Sequence, residues 1–115
     1  MTVDFEQKND TCTMHLNGKI ALGSDPAYLR ERAEQLKSMN YKKVIVDCSG
    51  LPYLDSTGIA FLVGIFTSVR TAGGECALVR VNQRVREVLD LTHLTTVIPV
   101  HDTEESARQA FGSAG

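Results

Sequence analysis

Val44-Ile45-Val46-Asp47, then Cys48-Ser49-Gly50-Leu51-Pro52-Tyr53-Leu54, then Asp55-Ser56-Thr57-Gly58-Ile59: the reading of this stretch decides the fold. Its first part is a continuous, β-branched apolar run, the pattern of a strand buried on both faces of a parallel sheet. The strand is expected to end at Asp47. Ser49 to Leu54 reads as a loop, and Asp55 opens a helix from Ser56 to about Ala72. Within that helix Ile59, Leu62, Val63, Phe66 and Val69 recur at three- and four-residue intervals. Gly73-Gly74 stops it at the C′ position, where a left-handed backbone favours glycine.

Working outward, the same strand-then-helix alternation repeats. Downstream, Cys76 to Val81 reads as a strand, and Asn82 caps a helix carrying Val85, Val88, Leu89 and Leu91. Thr96 to Val100 reads as a last short strand, and Asp102-Thr103-Glu104-Glu105 as a capping-box-like start for a helix with Ala107, Ala110 and Phe111 inward. Upstream, two strands are expected, about Thr2 to Gln7 and Thr11 to Asn17, with Asn9-Asp10 as the turn. Val3 and Phe5, then Cys12, Met14 and Leu16, supply their period of two. Gly18 and Gly23 bracket a loop. Asp25 and Pro26 announce a helix with Leu29, Ala33, Leu36 and Met39 on its apolar side. The pattern predicts an α/β fold in a single domain, 1–115: a mixed sheet of about five strands with about four helices packed on it.

Composition narrows the function classes. Hydrophobic residues make up 43% and charged residues 23%, as in a folded globular domain. Twelve Lys plus Arg against fourteen Asp plus Glu leave a formal charge of -2, so nothing draws this surface to a phosphate backbone. The most apolar run, Ile59 to Val69, is far short of the roughly 20 residues that span a bilayer. The first residues, Met1-Thr2-Val3-Asp4-Phe5-Glu6, have neither a basic flank nor an apolar signal stretch, and a cytoplasmic location is expected. Cys12, Cys48 and Cys76 are widely spaced, with no Cys-x-x-Cys and no zinc spacing. They read as buried free thiols of a reducing compartment.

Catalytic motifs are missing from the chain. It contains no Gly-x-Gly-x-x-Gly after a strand, no Gly-x4-Gly-Lys-Ser/Thr and no Gly-x-Ser-x-Gly. His15, His93 and His101 are scattered and form no His-Glu-x-x-His pair. The reading is therefore a non-enzyme with no catalytic residues, no metal and no cofactor. Asp55-Ser56-Thr57-Gly58 stands out instead. One reading is a plain helix start in which Asp55 caps the N–H of Thr57 or Gly58. It leaves Gly58 unexplained, since glycine in a helix costs about 1 kcal/mol relative to alanine. Close approach of another backbone or of a partner would explain it. The other reading is a regulatory phosphosite, since free N–H groups and the helix dipole favour an anion there.

Val44-Ile45-Val46-Asp47, Leu51-Pro52-Tyr53-Leu54-Asp55-Ser56-Thr57-Gly58, Thr71-Ala72-Gly73-Gly74 and the helix of Val85, Val88 and Leu89 followed by Asp90-Leu91-Thr92-His93-Leu94 together resemble the STAS domain, specifically the anti-sigma factor antagonists of bacteria. The resemblance covers essentially the whole chain and implies a phosphorylation-switched binding module. In it Ser56 is the acceptor, phosphorylated by a partner that is both anti-sigma factor and serine kinase. Asp55, Thr57, Gly58, Ile59, Gly18 and Lys19 are the phosphosite neighbours and partner-binding positions. Unphosphorylated protein sequesters the kinase and frees a sigma factor, and a serine phosphatase restores that state. The expected oligomeric state is a monomer or weak dimer. Many members carry an acidic residue where this chain has Lys19, and often glycine where it has His93. The alternative implied role is a scaffold or adaptor subunit of a stress-signalling assembly or of a lipid-transport ATPase complex.

Overall fold

The computed structural model describes residues 2–18 and 26–112. Strands β1 (Thr2–Lys8) and β2 (Thr11–Asn17) form a hairpin closed by Asn9-Asp10, where Asn9 takes a left-handed φ of 56°. Helix α1 (Pro26–Met39) crosses to β3 (Lys43–Gly50), and α2 (Ser56–Thr71) crosses to β4 (Glu75–Val79). Helix α3 (Gln83–Leu91) leads to β5 (Val100–His101), and α4 (Glu104–Gly112) closes the chain. The sheet runs in sequence order, β1-β2-β3-β4-β5, with β1 antiparallel to β2 and the remaining pairs parallel. The mixed five-stranded sheet with four helices is the expected architecture. No helix among the described residues is long and apolar enough to cross a membrane.

The alternation along β3 explains the two layers. Val44, Val46 and Cys48 point into the main core with Cys12, Met14 and Leu16 of β2 and Cys76 and Leu78 of β4. Leu29 and Leu36 of α1, Leu62, Ile65 and Val69 of α2, and Val85 and Leu89 of α3 cover that face. Ile45, Ala77 and Val79 point the other way, onto Ala107 and Phe111 of α4. In α2 the buried line runs through Gly58, Leu62, Ile65 and Val69, while Val63 and Phe66 of the expected stripe are half-buried. The three cysteines are buried free thiols. Burial pushes the Cys12 thiol up to about 11 and, as the leading cause, those of Cys48 and Cys76 up to about 12.

Element ends depart from the sequence reading where hydrogen bonds outweigh propensity. Strand β3 runs on to Gly50 because β2 continues to pair with it, Asn17 against Gly50, past a bulge between His15 and Asn17. Strand β4 stops at Val79 instead of Val81 because Arg80 turns to a left-handed φ of 56°. The expected strand from Thr96 to Val100 is a 3-10 turn, Leu94–Thr96, followed by the two residues of β5. The N–H groups of Val97 and Ile98 both donate to the Leu94 carbonyl, which bends the chain while buried Ile98 fills the core. Thr103, not Asp102, caps α4, its hydroxyl accepting from the Ser106 N–H at 3.1 Å. His93 adopts a left-handed conformation, at φ 60° and ψ 20°, which histidine tolerates better than a β-branched residue.

Helix α2 ends in a paired cap. The Gly73 N–H donates to the Arg70 carbonyl at 3.0 Å and the Gly74 N–H to the Val69 carbonyl at 2.9 Å, with Gly73 at φ +87°. A Cβ on Gly74 would lie 2.7 Å from the Lys42 carbonyl oxygen, so this glycine permits the close approach of α2's end to the start of β3. Gly64 differs: it is exposed within α2, and nothing lies within 4 Å of where its Cβ would be. Gly64→Ala should therefore raise stability by about 0.5–1 kcal/mol through helix propensity alone, and Gly74→Ala should lower it by about 1–3 kcal/mol. Urea denaturation midpoints check both. A destabilising Gly64→Ala would show that this position is constrained within the fold.

Candidate functional site at the start of helix α2

Ser56 owes its position to the end of β3. A Cβ on Gly50 would lie 2.4 Å from Asn17 Oδ1 and 2.5 Å from the Leu16 carbonyl oxygen, so only glycine lets the two strand ends come this close. The Gly18 N–H, at φ 81°, donates to the Gly50 carbonyl at 2.9 Å and brings Gly18 to the same edge. Beyond Gly50 the chain is held by two buried side chains, Leu51 at 1% and Leu54 at 4% exposure. The Leu51 N–H donates to the Cys48 carbonyl at 3.0 Å. The Leu51 carbonyl accepts from Asn82 Nδ2 of the α3 cap at 2.8 Å, and Arg84 lies 5.9 Å from the Tyr53 ring. The loop is short and pinned, and it delivers Asp55 to the N-cap.

Asp55 has extended backbone and accepts from the Gly58 N–H through Oδ1 at 3.1 Å, while its carbonyl accepts the Ile59 N–H at 2.9 Å. The cap is one of the two expected bonds. Ser56, the first helical residue, is exposed. Thr57 is half-buried, Gly58 is buried and Ile59 is half-buried against the main core. The structure thus brings Gly18, Asp55, Ser56, Thr57, Gly58 and Ile59 to one end of the sheet, and from Asp55 to Ile59 the serine alone is exposed. Lys19 lies outside the described residues, as do the rest of the loop to Gly23 and the Asp25 cap. The first turn of α2 carries no acid of its own. The positive end of its dipole meets the Asp55 carboxylate of the cap.

A second cluster, unforeseen in the sequence, lies beneath this end on the α4 side of the sheet. Asp47, only 5% exposed, accepts from His15 Nδ1 at 2.7 Å, from the Ser49 N–H at 3.0 Å and from Arg80 at 3.5 Å. His15 Nε2 reaches Glu6 at 2.8 Å, so both ring nitrogens face carboxylates. Arg80 and Arg108 lie 3.9 and 3.6 Å from Glu104 at the start of α4. The left-handed Arg80 is what swings this guanidinium back over the sheet. His15, Asp47 and Glu104 have the donor set of a cation site, with ligand atoms within 4.8 Å of one another. The fold's own cations already face these carboxylates: Arg80 reaches both Asp47 and Glu104, and Arg108 reaches Glu104 and Glu105. A sequence signal did exist. Thr11, Thr13 and His15 alternate with the apolar residues of β2, and Asp47 is a lone acid closing a buried strand.

Burial lowers the affinity of His15 for a proton, but the hydrogen bonds and charges of Glu6 and Asp47 outweigh it and raise its pKa above 6.5. Burial alone would raise Asp47. The Ser49 backbone N–H, His15 and the Ser49 side chain outweigh that and lower it below 3.8.

Comparison with known proteins adds the following. A family-wide sequence profile described as the STAS domain matches residues 2–107. The anti-sigma-B factor antagonist of Listeria monocytogenes is 30% identical, over 90% of this chain and 93% of its own. The crystal structure of an anti-sigma factor antagonist from Mycobacterium paratuberculosis superimposes with a TM-score of 0.83 at 21% identity, covering 96% of this chain and 92% of that one. The Bacillus cell fate determinant SpoIIAA in its phosphorylated form superimposes at 0.68 with 18% identity, covering 95% and 98%.

The half-buried His15 and buried Asp47 make stability depend on pH with a definite sign. The His15 contribution is complete below about pH 6.5 and is lost as pH rises through its raised folded value. The Asp47 contribution is complete above about pH 3.8 and is lost as pH falls through its lowered folded value. Wild-type protein should lose stability between about pH 5.5 and about pH 8.5, and His15→Gln should flatten that limb. Denaturant midpoints at the two pH values measure it. An unchanged slope in His15→Gln would remove His15 as its source.

Proposed function

This chain belongs to the STAS domain family, and we propose that it acts within that family as a phosphorylation-controlled anti-sigma factor antagonist, with Ser56 as the acceptor. It is a binding module and not an enzyme. The observation that carries the reading is the placement of Ser56: an exposed hydroxyl on the first residue of α2, at the tip of a loop held rigid by buried Leu51 and Leu54. A relative named as an anti-sigma-B factor antagonist and a chain of the same fold known in a phosphorylated form support it.

Unphosphorylated protein docks through Gly18, Ser56 and the first turns of α2 onto a serine kinase that is also the anti-sigma factor. The captured kinase then releases its sigma factor. Magnesium and ATP belong to the kinase. Transfer of the ATP γ-phosphoryl group to the Ser56 oxygen, with ADP leaving and the hydroxyl proton released, adds about -1.5 to -2 charges beside Asp55, at a surface that binding would desolvate. Like-charge repulsion and the cost of dehydrating the phosphate break the complex. A metal-dependent serine phosphatase hydrolyses the ester and restores binding. A scaffold role would leave the accessible serine on its pinned loop without a use.

The partner is found by capture with wild-type protein and with Ser56→Asp, since a switch partner is retained by the first and lost by the second. With that kinase and magnesium-ATP the protein should gain one phosphate. Ser56→Ala should abolish labelling and Thr57→Ala should largely preserve it, as half-buried Thr57 is the less accessible hydroxyl. Phosphate mapped by mass spectrometry to Thr57 or Ser49 would overturn the assignment.

The fold itself should tolerate the modification. The helix N-terminus stabilises an exposed anion by about 0.3–1 kcal/mol and Asp55 offsets part of it, so stability should shift by less than about 1 kcal/mol. Affinity for the kinase should fall more than about a hundredfold, near 3 kcal/mol. Thermal melts of both forms beside titrations with the kinase decide the mechanism. If phosphorylation unfolds α2, the switch is structural, and if affinity is unchanged there is no switch.

A further inference from the structure

We propose that Asn82 is a positioning residue for the phosphoacceptor loop, so that the start of α3 sets the geometry in which Ser56 is presented. The inference rests on the reading of Ser56 as acceptor. Asn82 Oδ1 accepts from the Val85 N–H at 2.9 Å, which is an ordinary N-cap. Its other end points away from α3: Nδ2 donates to the Leu51 carbonyl at 2.8 Å and lies 3.4 Å from the Pro52 carbonyl. The orientation of the amide is forced, because an N–H can only donate to it and a carbonyl can only accept. Aspartate, serine or threonine would cap α3 equally well, so the cap does not explain why the residue is asparagine. Only a side chain with an acceptor on one side and a donor on the other joins α3 to the loop.

That joint meets the loop where it matters. Leu51 is the first residue after β3, its side chain is buried, and its N–H is already committed to Cys48. With Asn82 on its carbonyl, the residue is fixed on both sides of its peptide unit. Arg84, in the first turn of α3, lies over Tyr53, so the same turn holds the loop at a second point. Between Tyr53 and the Asp55 cap only Leu54 intervenes. Movement at Leu51 to Tyr53 passes to Ser56 with little slack.

Asn82→Asp separates the two tasks. It keeps the acceptor for Val85 and adds a charge favoured at a helix start, but it turns a carboxylate oxygen toward two carbonyl oxygens. Amide hydrogen exchange by mass spectrometry on the free protein should show residues 51–58 exchanging at least about tenfold faster in Asn82→Asp, with 83–91 unchanged. Asn82→Ala should accelerate both segments. Where Asn82→Asp lowers the melting temperature of the whole chain, Asn82→Ser, which retains a cap but is too short to span to Leu51, takes its place. With the kinase recovered by the Ser56 capture, Asn82→Asp should raise KM for the protein substrate about tenfold with kcat nearly unchanged, since a ready-made loop assists docking and not phosphoryl chemistry. Unchanged exchange over 51–58, or an unchanged KM, overturns the role of Asn82. Wild-type label on a residue other than Ser56 overturns the acceptor reading instead, and the exchange experiment still decides whether Asn82 holds the loop.

Discussion

The parallel pairing of β3 with both neighbours is the constraint from which the remaining structure follows. A strand in that position has its backbone groups satisfied from either side, Cys12 and Cys76 flanking Val44 and His15 and Val79 flanking Asp47. Parallel neighbours cannot be reached by a tight turn, so α1 and α2 must cross over, and both land on the face lined by Val44, Val46 and Cys48. The same geometry sends every parallel strand out at one end of the sheet. The loop after β3 and the Gly18 corner meet there, as loops at the carboxyl ends of parallel strands do in other α/β proteins.

Two kinds of electrostatics coexist at that end, separated by the thickness of the sheet. Below it, Asp47 faces both His15 and Arg80, and Arg80 in turn reaches Glu104. These side chains join β2, β3 and α4 beside the apolar cluster of Ile45, Ala77, Val79, Ala107 and Phe111. Above it, the start of α2 presents the capping carboxylate of Asp55 and the exposed hydroxyl of Ser56. The fold leaves Ser56 in water, so on the proposed reading a charge added there is felt at a partner's contact surface more than within the fold.

The end of β3 shows how far pattern reading carries. The apolar run Val44 to Val46 announces a buried strand, and Asp55 with Gly73-Gly74 announces both ends of α2, because each signal is local. The same reading stops β3 at Asp47, since an acid in a strand buried on both faces looks like an exit. The structure keeps it inside because His15, thirty-two positions earlier in the chain, faces it. Thr96 to Val100 fails for the same reason in reverse. Its β-branched residues favour a strand, and the carbonyl of Leu94 bends them into a turn.

By itself the sequence determined the order of elements, the two apolar faces and the buried thiols, because hydrophobic period, caps and glycines act over a few residues. Ser56 is singled out as candidate acceptor by the resemblance of its motif to a family. The tertiary structure alone decided which of those residues meet. It placed Gly18 on Gly50, Asn82 on Leu51 and His15 on Asp47, and it ranked Ser56 above Thr57 by exposure. Those are contacts between segments far apart in the chain. Their partners are chosen by strand register and by the packing of α3 and α4, which no local pattern encodes.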